Sequence, residues 1–178
     1  LNDIFLGGQC YEVSNLTAIG VSQGRGSFND GNSTIDIPTG VILSTGDIAD
    51  AAGPNNGDQV GTNIGGPDTD PDLNIYANNN IYDVQGIEFD FVPTSNTVSF
   101  EYVFASEEYC EYVNAGLSDL FGFFISGPGI NGGFSSNGEN IALVPNSSLY
   151  VTIDNINQFD NSTYFVPNRA NCGATTNM

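Results

Sequence analysis

The fold is decided by residues 86–105, which read GIEFDFVPTSNTVSFEYVFA. Apolar side chains alternate with acidic ones over residues 87–91, and a period of two returns over residues 98–104. Such alternation is typical of β-strands that bury one face, and the Pro-Thr-Ser-Asn sequence at 93–96 is a turn signal. The stretch therefore predicts a β-hairpin with aromatic side chains on its buried face.

The rest of the chain repeats this pattern of short apolar runs between clusters of Gly, Pro and Asn, with almost no helical periodicity. The further candidate strands are residues 11–19, 41–44, 120–126, 141–144 and 149–153. Two other segments, 47–52 and 106–109, have the length and capping residues of single helical turns. We therefore predict one all-β domain over residues 1–178, a β-sandwich or jelly roll with long Gly- and Asn-rich loops.

The charge balance excludes several classes of function. The chain of 178 residues has 21 acidic and 2 basic side chains, no His, and a formal net charge of −19. Because the chain has no His, catalysis with a His base and His-containing zinc sites are excluded. Because both basic residues are Arg, Lys Schiff-base chemistry is excluded as well. A basic face for nucleic acid or anionic lipid is missing as well, and no apolar run approaches the roughly 18 residues of a membrane span. Divalent cations, uncharged ligands such as sugars, and protein partners remain, and the composition favours an extracellular or cell-surface location.

The strongest candidate site is the acidic pair Glu107 and Glu108, which follows a candidate strand, together with Asp119, which begins the next one. Carboxylates from two loops that meet at one sheet edge suit Ca²⁺, which takes six to eight oxygen ligands in flexible geometry. These three acids are therefore our first-choice calcium ligands. One alternative is that Ser106 caps a turn and both glutamates are solvated. The other is a glycosidase, which requires two carboxylates spaced across an open cleft.

Further candidate ligands are Asp70 and Asp72, and after them Asp47. The alternating Asp residues resemble the start of an EF-hand loop, but Leu73 stands where that loop needs Gly and no bidentate Glu follows, which excludes an EF-hand. A calcium loop of another kind and an ordinary Asp-Pro turn both remain for Asp70 and Asp72. Asp47, Asp50 and Asn55 flank the Gly53-Pro54 break and could add oxygens to either site, and their alternative role is in a capped turn.

Cysteines and glycosylation signals add weaker indications. Cys10, Cys110 and Cys172 are an odd number, so an exported chain can form one disulfide, and the spacing does not say which pair. Four Asn-X-Ser/Thr sequences are consistent with exposed positions, although the abundance of Asn, Ser and Thr makes several of them coincidental. They begin at Asn15, Asn32, Asn146 and Asn161.

Six stretches of the chain together resemble the choice-of-anchor L domain of bacterial surface proteins, in an order that covers about residues 6–166. They read LSTGDIADAAGPN at 43–55, DPDL at 70–73, EFDFVP at 88–93, SFEYVFASEEY at 99–109, DLFGFFISGPG at 119–129 and NIALVP at 140–145. The resemblance implies export, a place in modular surface or adhesin-like proteins, and no established catalytic activity. The family's Phe-Ala-Ser-Glu-Glu-Tyr core and the Asp after it fall on residues 104–109 and on Asp119.

Members of this family usually continue past the position of Met178 with further strands, so this chain is expected to lack them and to expose an unpaired sheet edge. The sequence as a whole predicts a non-enzymatic extracellular binding or adhesion module with Ca²⁺-stabilised loops, whose partner is a protein or a glycan. The main alternative is a structural subunit of an extracellular filament or layer, assembled by strand complementation between copies.

Overall fold

The fold is built from short antiparallel strands. The computed structural model describes residues 12–29, 35–52, 61–77 and 80–167. The strands are β1 (Glu12–Ile19), β2 (Arg25–Asn29), β3 (Thr39–Leu43), β4 (Gly86–Val92), β5 (Leu120–Phe121), β6 (Phe124–Ile125), β7 (Glu139–Asn140) and β8 (Val151–Thr152). Helical structure in this part of the chain is confined to 3-10 turns at Ser22–Gly24, Asp50–Ala52, Leu73–Ile75, Ser135–Asn137 and Ser162–Tyr164. The predicted all-β class is confirmed, whereas the strands pair as two-stranded ribbons that do not by themselves establish a sandwich.

Strand β4 forms where the alternation predicted it, but its partner differs from the predicted one. It pairs antiparallel with β1, with Val13 opposite Phe91. The register shifts near Asn15, whose φ is 52° and whose side chain donates a hydrogen bond to Asp90 Oδ2 at 2.6 Å. Residues 97–104 form no strand ladder, so the predicted hairpin is wrong. Alternation specifies which face of a strand is buried, but it does not specify which neighbour supplies the ladder.

The segment that was expected to complete the hairpin packs through its aromatic rings. The ring centroids of Phe100 and Phe123 are 4.7 Å apart, and those of Tyr102 and Phe121 are 5.0 Å apart. These contacts hold residues 97–104 beside β5. As a result, the chain that leads into the acidic pair lies next to the strand that follows Asp119.

Strands β2 and β3 form the second long ribbon, in register from Arg25 opposite Leu43 to Asn29 opposite Thr39. Gly40 lies against the Phe28 ring, and a Cβ atom there would come within 2.6 Å of it, so any larger residue would have to displace the ring. The ribbon leads directly into the loop that carries Asp47 and Asp50.

The most deeply buried side chains lie around β8. Ile153 and Val144 are 0% and 1% exposed, and Ala142 and Val151 are also buried. Asn140 is buried among them, and its Oδ1 accepts hydrogen bonds from the backbone N–H groups of Phe123 and Ala142, both at 3.0 Å. Because this amide replaces part of a ladder, the candidate strand at 120–126 is divided into β5 and β6.

Candidate metal centre

The turn after residue 104 brings the acidic pair to Asp119. The Ser106 hydroxyl donates a hydrogen bond to Asp119 Oδ2 at 2.6 Å and accepts one from the Glu108 N–H at 3.0 Å. Ser106 therefore caps the turn, which is one part of the alternative to a calcium site given above. It also joins the turn to Asp119, the residue before β5. Both ends of this connection are partly buried.

A third segment reaches the same place from the loop after β3. The Asp50 carboxylate accepts a hydrogen bond from Thr62 Oγ1 at 2.6 Å. Gly61 lies beside the acidic pair, because a Cβ atom built on it would lie 3.7 Å from Glu107 Oε2. We call Asp50, Glu107, Glu108 and Asp119 the acidic edge.

The carboxylates of the acidic edge perturb one another. Burial raises the pKa of Glu107, and the charges of Asp50 and Asp119 raise it further. Burial also raises the pKa of Glu108, with added repulsion from Asp119, Glu107 and Glu111. Because no cause on either group lowers the pKa, both glutamates pay for ionisation at neutral pH.

The Tyr109 hydroxyl and the Oε2 atom of Glu108 are buried beside these charges. Burial, with the Asp119 charge as a smaller cause, raises the pKa of Tyr109 to about 12, so this phenol stays protonated at neutral pH. Glu108 Oε2 is buried and, within the part of the chain that the structure describes, has no hydrogen-bond partner. A buried carboxylate oxygen without a donor is a position where a cation or a water would be favourable.

The acidic edge does not form a complete protein cage for a metal. Over residues 12–29, 35–52, 61–77 and 80–167, no three His, Cys, Asp or Glu side chains take up an arrangement that could hold a metal ion. Any cation at this edge would therefore need backbone carbonyls, hydroxyls or water among its ligands. Calcium accepts all three types of oxygen.

The other predicted ligands are occupied by backbone amides. Asp70 Oδ1 accepts hydrogen bonds from the N–H groups of Asp72 and Leu73, and Asp72 Oδ1 accepts one from the Ser135 N–H at 2.7 Å. Asp47 Oδ1 accepts one from the Ala49 N–H at 2.9 Å. None of these three aspartates is among the charges that raise the pKa of Glu107 or Glu108.

Asp50 and Thr62 contribute to the acidic edge, although neither was a first-choice ligand. Asp50 was considered only as a possible extra ligand, yet its charge is the largest Coulombic influence on Glu107. Thr62 is a contributor that the sequence does not reveal, because no local signal identifies a single Thr 12 residues away as the partner of Asp50. The adjacent glutamates can be recognised in the sequence, whereas the approach of Asp50 to them cannot.

Cys110 follows the acidic edge and is disulfide-bonded. Its possible partners, Cys10 and Cys172, both lie outside the described residues, so the choice between the two pairings stays open. The candidate glycosylation site Asn32 also lies outside the described residues. Among the other candidate glycosylation sites, the Asn15 and Asn161 side chains donate hydrogen bonds to Asp90 and to the Asn155 carbonyl, respectively. Asn146 lies in an exposed turn.

Comparison with known proteins places the chain in a family. The family description that matches is the choice-of-anchor L domain, and the match covers residues 1–178. The chain belongs to the choice-of-anchor L family. Choice-of-anchor L domains are surface-anchoring modules of bacterial proteins and not an enzyme family, so this domain is part of a secreted or surface-associated bacterial protein. No curated protein and no solved structure matches it. In the described part of this choice-of-anchor L domain, no helix has the length and apolarity to cross a bilayer.

Replacing Glu108 with Gln tests the electrostatics of the acidic edge. A carboxylate whose folded-state pKa is raised stabilises the fold below its ordinary pKa and loses that contribution as the pH rises through the folded-state value. Glu108 therefore destabilises the fold at pH 7 without a bound cation. We expect Glu108→Gln to raise the Tm at pH 7 by about 2 °C, which corresponds to an interaction of up to about 1 kcal/mol.

The measurement is thermal unfolding from pH 4 to pH 8 in the presence of a chelator. The gain in Tm should shrink toward pH 4, where the wild-type carboxyl is protonated. Glu88→Gln, on an exposed position of β4, is the matched control for loss of one negative charge. A lower Tm for Glu108→Gln than for wild type at pH 7 would contradict the assignment.

Proposed function

We propose that this domain is a non-enzymatic binding module at the bacterial cell surface, and that Ca²⁺ at the acidic edge stabilises its loops. The observation that carries the calcium proposal is Glu108, which has a raised pKa and an unpartnered, buried carboxylate oxygen beside Glu107 and Asp119. A cation there would lower the cost of ionising both glutamates. It would also supply the missing partner of Glu108 Oε2.

Calcium fits this edge better than other common metals do. The chain has no His, so the nitrogen ligands that zinc and copper prefer are missing, and the oxygen-rich edge suits a hard cation. Magnesium demands near-ideal octahedral geometry, whereas calcium tolerates irregular sets of carboxylates, hydroxyls, carbonyls and waters. The acidic edge offers two adjacent glutamates, Asp119 and the Ser106–Asp119 hydrogen bond as fixed elements.

Calcium would act by joining separate segments of the chain. The acidic edge combines the loop that contains Asp50, the turn at 106–108 and the start of β5. Asp50 lies more than 50 residues before the turn, and the Ser106–Asp119 hydrogen bond joins the turn to the start of β5. A bound ion would pin the loops in one arrangement, which lowers the entropy that a partner has to remove on binding.

The function is tested by retention of the purified domain on bacterial cell surfaces. We expect fluorescently labelled wild-type domain to be retained in 2 mM CaCl₂ and to lose most of the bound signal in a chelator. A site with a Kd of about 0.1–1 mM, as extracellular calcium modules show, would be mostly occupied at 2 mM CaCl₂ and empty in the chelator. The Glu107→Gln/Glu108→Gln variant should bind weakly in both buffers, and Glu88→Gln should behave as wild type. If wild type is retained in neither buffer, the binding function is refuted. If it is retained equally in both buffers, only the role of calcium is refuted.

A further inference from the structure

The loop that follows β8 presents an aromatic side chain to solvent. Phe159 is 77% exposed, more than any other aromatic side chain in the described part of the chain. Burying such a ring would stabilise the fold, so leaving it exposed forgoes that stabilisation. A single exposed apolar residue is common, and what distinguishes Phe159 is how the loop holds it.

A buried amide fixes the conformation of this loop. Asn157 is 0% exposed, and its Nδ2 donates hydrogen bonds to the carbonyls of Ile153 and Asp154 at 2.9 and 3.0 Å. Its Oδ1 accepts hydrogen bonds from the N–H groups of Phe159 and Asp160, both at 2.8 Å. The side chain of one residue thus satisfies four backbone groups, including the N–H of Phe159 itself.

Two more contacts close the loop around this amide. The Asn157 N–H donates to the Asp160 carbonyl at 2.9 Å, and Asn161 Nδ2 donates to the Asn155 carbonyl at 2.7 Å. The backbone at Phe159 is therefore fixed before any partner arrives. Interface hot spots are enriched in aromatic side chains, and rigid presentation reduces the entropic cost of binding.

The charge around Phe159 restricts the partner. Asp160 is exposed and follows directly, and the chain carries 21 acidic residues against two arginines. A second copy with the same charge of −19 would be repelled. The complementary group is a cation, and a guanidinium can stack on an aromatic face while it pairs with a neighbouring carboxylate.

We propose that Phe159 and Asp160 form a docking point for an arginine-bearing segment of a partner protein. The arginine stacks on the Phe159 ring and forms an ion pair with the Asp160 carboxylate, while the Asn157-centred loop holds both residues in place. This inference rests on the proposed binding function and names the surface and the chemistry of the partner. The docking point itself uses no residue of the acidic edge, so calcium affects retention on cells through the loops that it pins and not through this contact.

The test is fluorescence anisotropy of a labelled (Arg-Gly)₄ peptide with the full chain at 0.15 M NaCl. We expect Phe159→Ala to weaken binding about three-fold or more, as for loss of an exposed cation–π contact, and Phe159→Tyr to bind as wild type. Asp160→Asn should weaken binding about two-fold. Val166→Ala, at a residue 81% exposed, is the matched control and should not change the affinity. All of these variants should unfold at the wild-type temperature.

The outcomes separate this inference from the proposed function. If Phe159→Ala binds the peptide as tightly as wild type does, the peptide binds only through the net negative charge of the chain, and the docking point is refuted. If wild type does not bind the peptide but is retained on cell surfaces, the docking point is again refuted and the binding function stands. Tight peptide binding that is lost in the Glu107→Gln/Glu108→Gln variant would assign the arginine to the acidic edge and overturn the inference.

Discussion

Replacing Asn157 with Ala is expected to lower the Tm by about 10 °C. The substitution removes four hydrogen bonds from a side chain that is 0% exposed. Each such bond contributes about 1 kcal/mol, and each buried backbone group left without a partner adds a penalty, so a loss of about 3–4 kcal/mol is expected. A domain of this size shifts by about 2–4 °C per kcal/mol.

The measurement is thermal unfolding of Asn157→Ala beside wild type, with Asn131→Ala as the matched control. Asn131 is exposed, so its replacement should change the Tm by no more than about 2 °C. Asn157→Asp keeps the acceptor for Phe159 and Asp160 but loses both donated bonds and buries a charge, so it should be destabilised as well. A Tm for Asn157→Ala within 2 °C of wild type would show that the amide does not organise this loop.

Calcium is expected to raise the Tm of the wild-type domain by about 5–10 °C. A ligand present at about 100 times its Kd stabilises the folded state by about 2.7 kcal/mol. Extracellular calcium modules bind with a Kd of about 0.1–1 mM, so about 10 mM CaCl₂ reaches this regime at the tighter end. The Glu107→Gln/Glu108→Gln variant should lose most of the shift, because it removes the two carboxylates that a cation relieves.

Three controls distinguish a site from general screening of the net charge. NaCl at matched ionic strength should raise the Tm by less, because it only screens exposed repulsion. MgCl₂ at the same concentration should also have the smaller effect. Glu88→Gln should keep the full calcium response. An equal rise with CaCl₂ and MgCl₂ in wild type and in the double variant would assign the stabilisation to screening.

Sequence periodicity predicted strand positions better than strand partners. Strand β4 coincides with the alternating residues 87–91, and β1 with the candidate at 11–19. The choice of β1 as the partner of β4 depends on register and packing between segments that are more than 60 residues apart in sequence. Alternation within one strand contains no information on that choice.

Side-chain amides account for most of what the sequence could not show. Asn140 interrupts the ladder at Phe123, and Asn157 organises the loop that presents Phe159. The chain has 23 Asn, and nothing local distinguishes these two from those in ordinary turns. Which amide is buried depends on the packing around β8, and burial is what makes its hydrogen bonds count.

The acidic edge was partly predictable for a simple reason. The acidic pair follows a segment that packs against Phe121 and Phe123 through its aromatic rings, Asp119 directly precedes β5, and Ser106 joins the two. The contribution of Asp50 was harder to predict because Asp50 lies more than 50 residues before Glu107, and the sequence does not show that the two carboxylates approach each other. The net charge of the chain predicted that it would attract cations. The structure was needed to show which carboxylates repel one another.

The most direct test of the calcium-stabilised binding module is isothermal titration calorimetry of CaCl₂ into the metal-free 178-residue chain at pH 7. We expect one saturable site with a Kd of about 0.1–1 mM, lost in Glu107→Gln/Glu108→Gln and retained in Glu88→Gln. Because calcium competes with protons for glutamates whose pKa is raised, the affinity should fall as the pH is lowered to 5. Absence of saturable binding in the wild-type chain, or identical binding by wild type and the double variant, would contradict this assignment of the acidic edge.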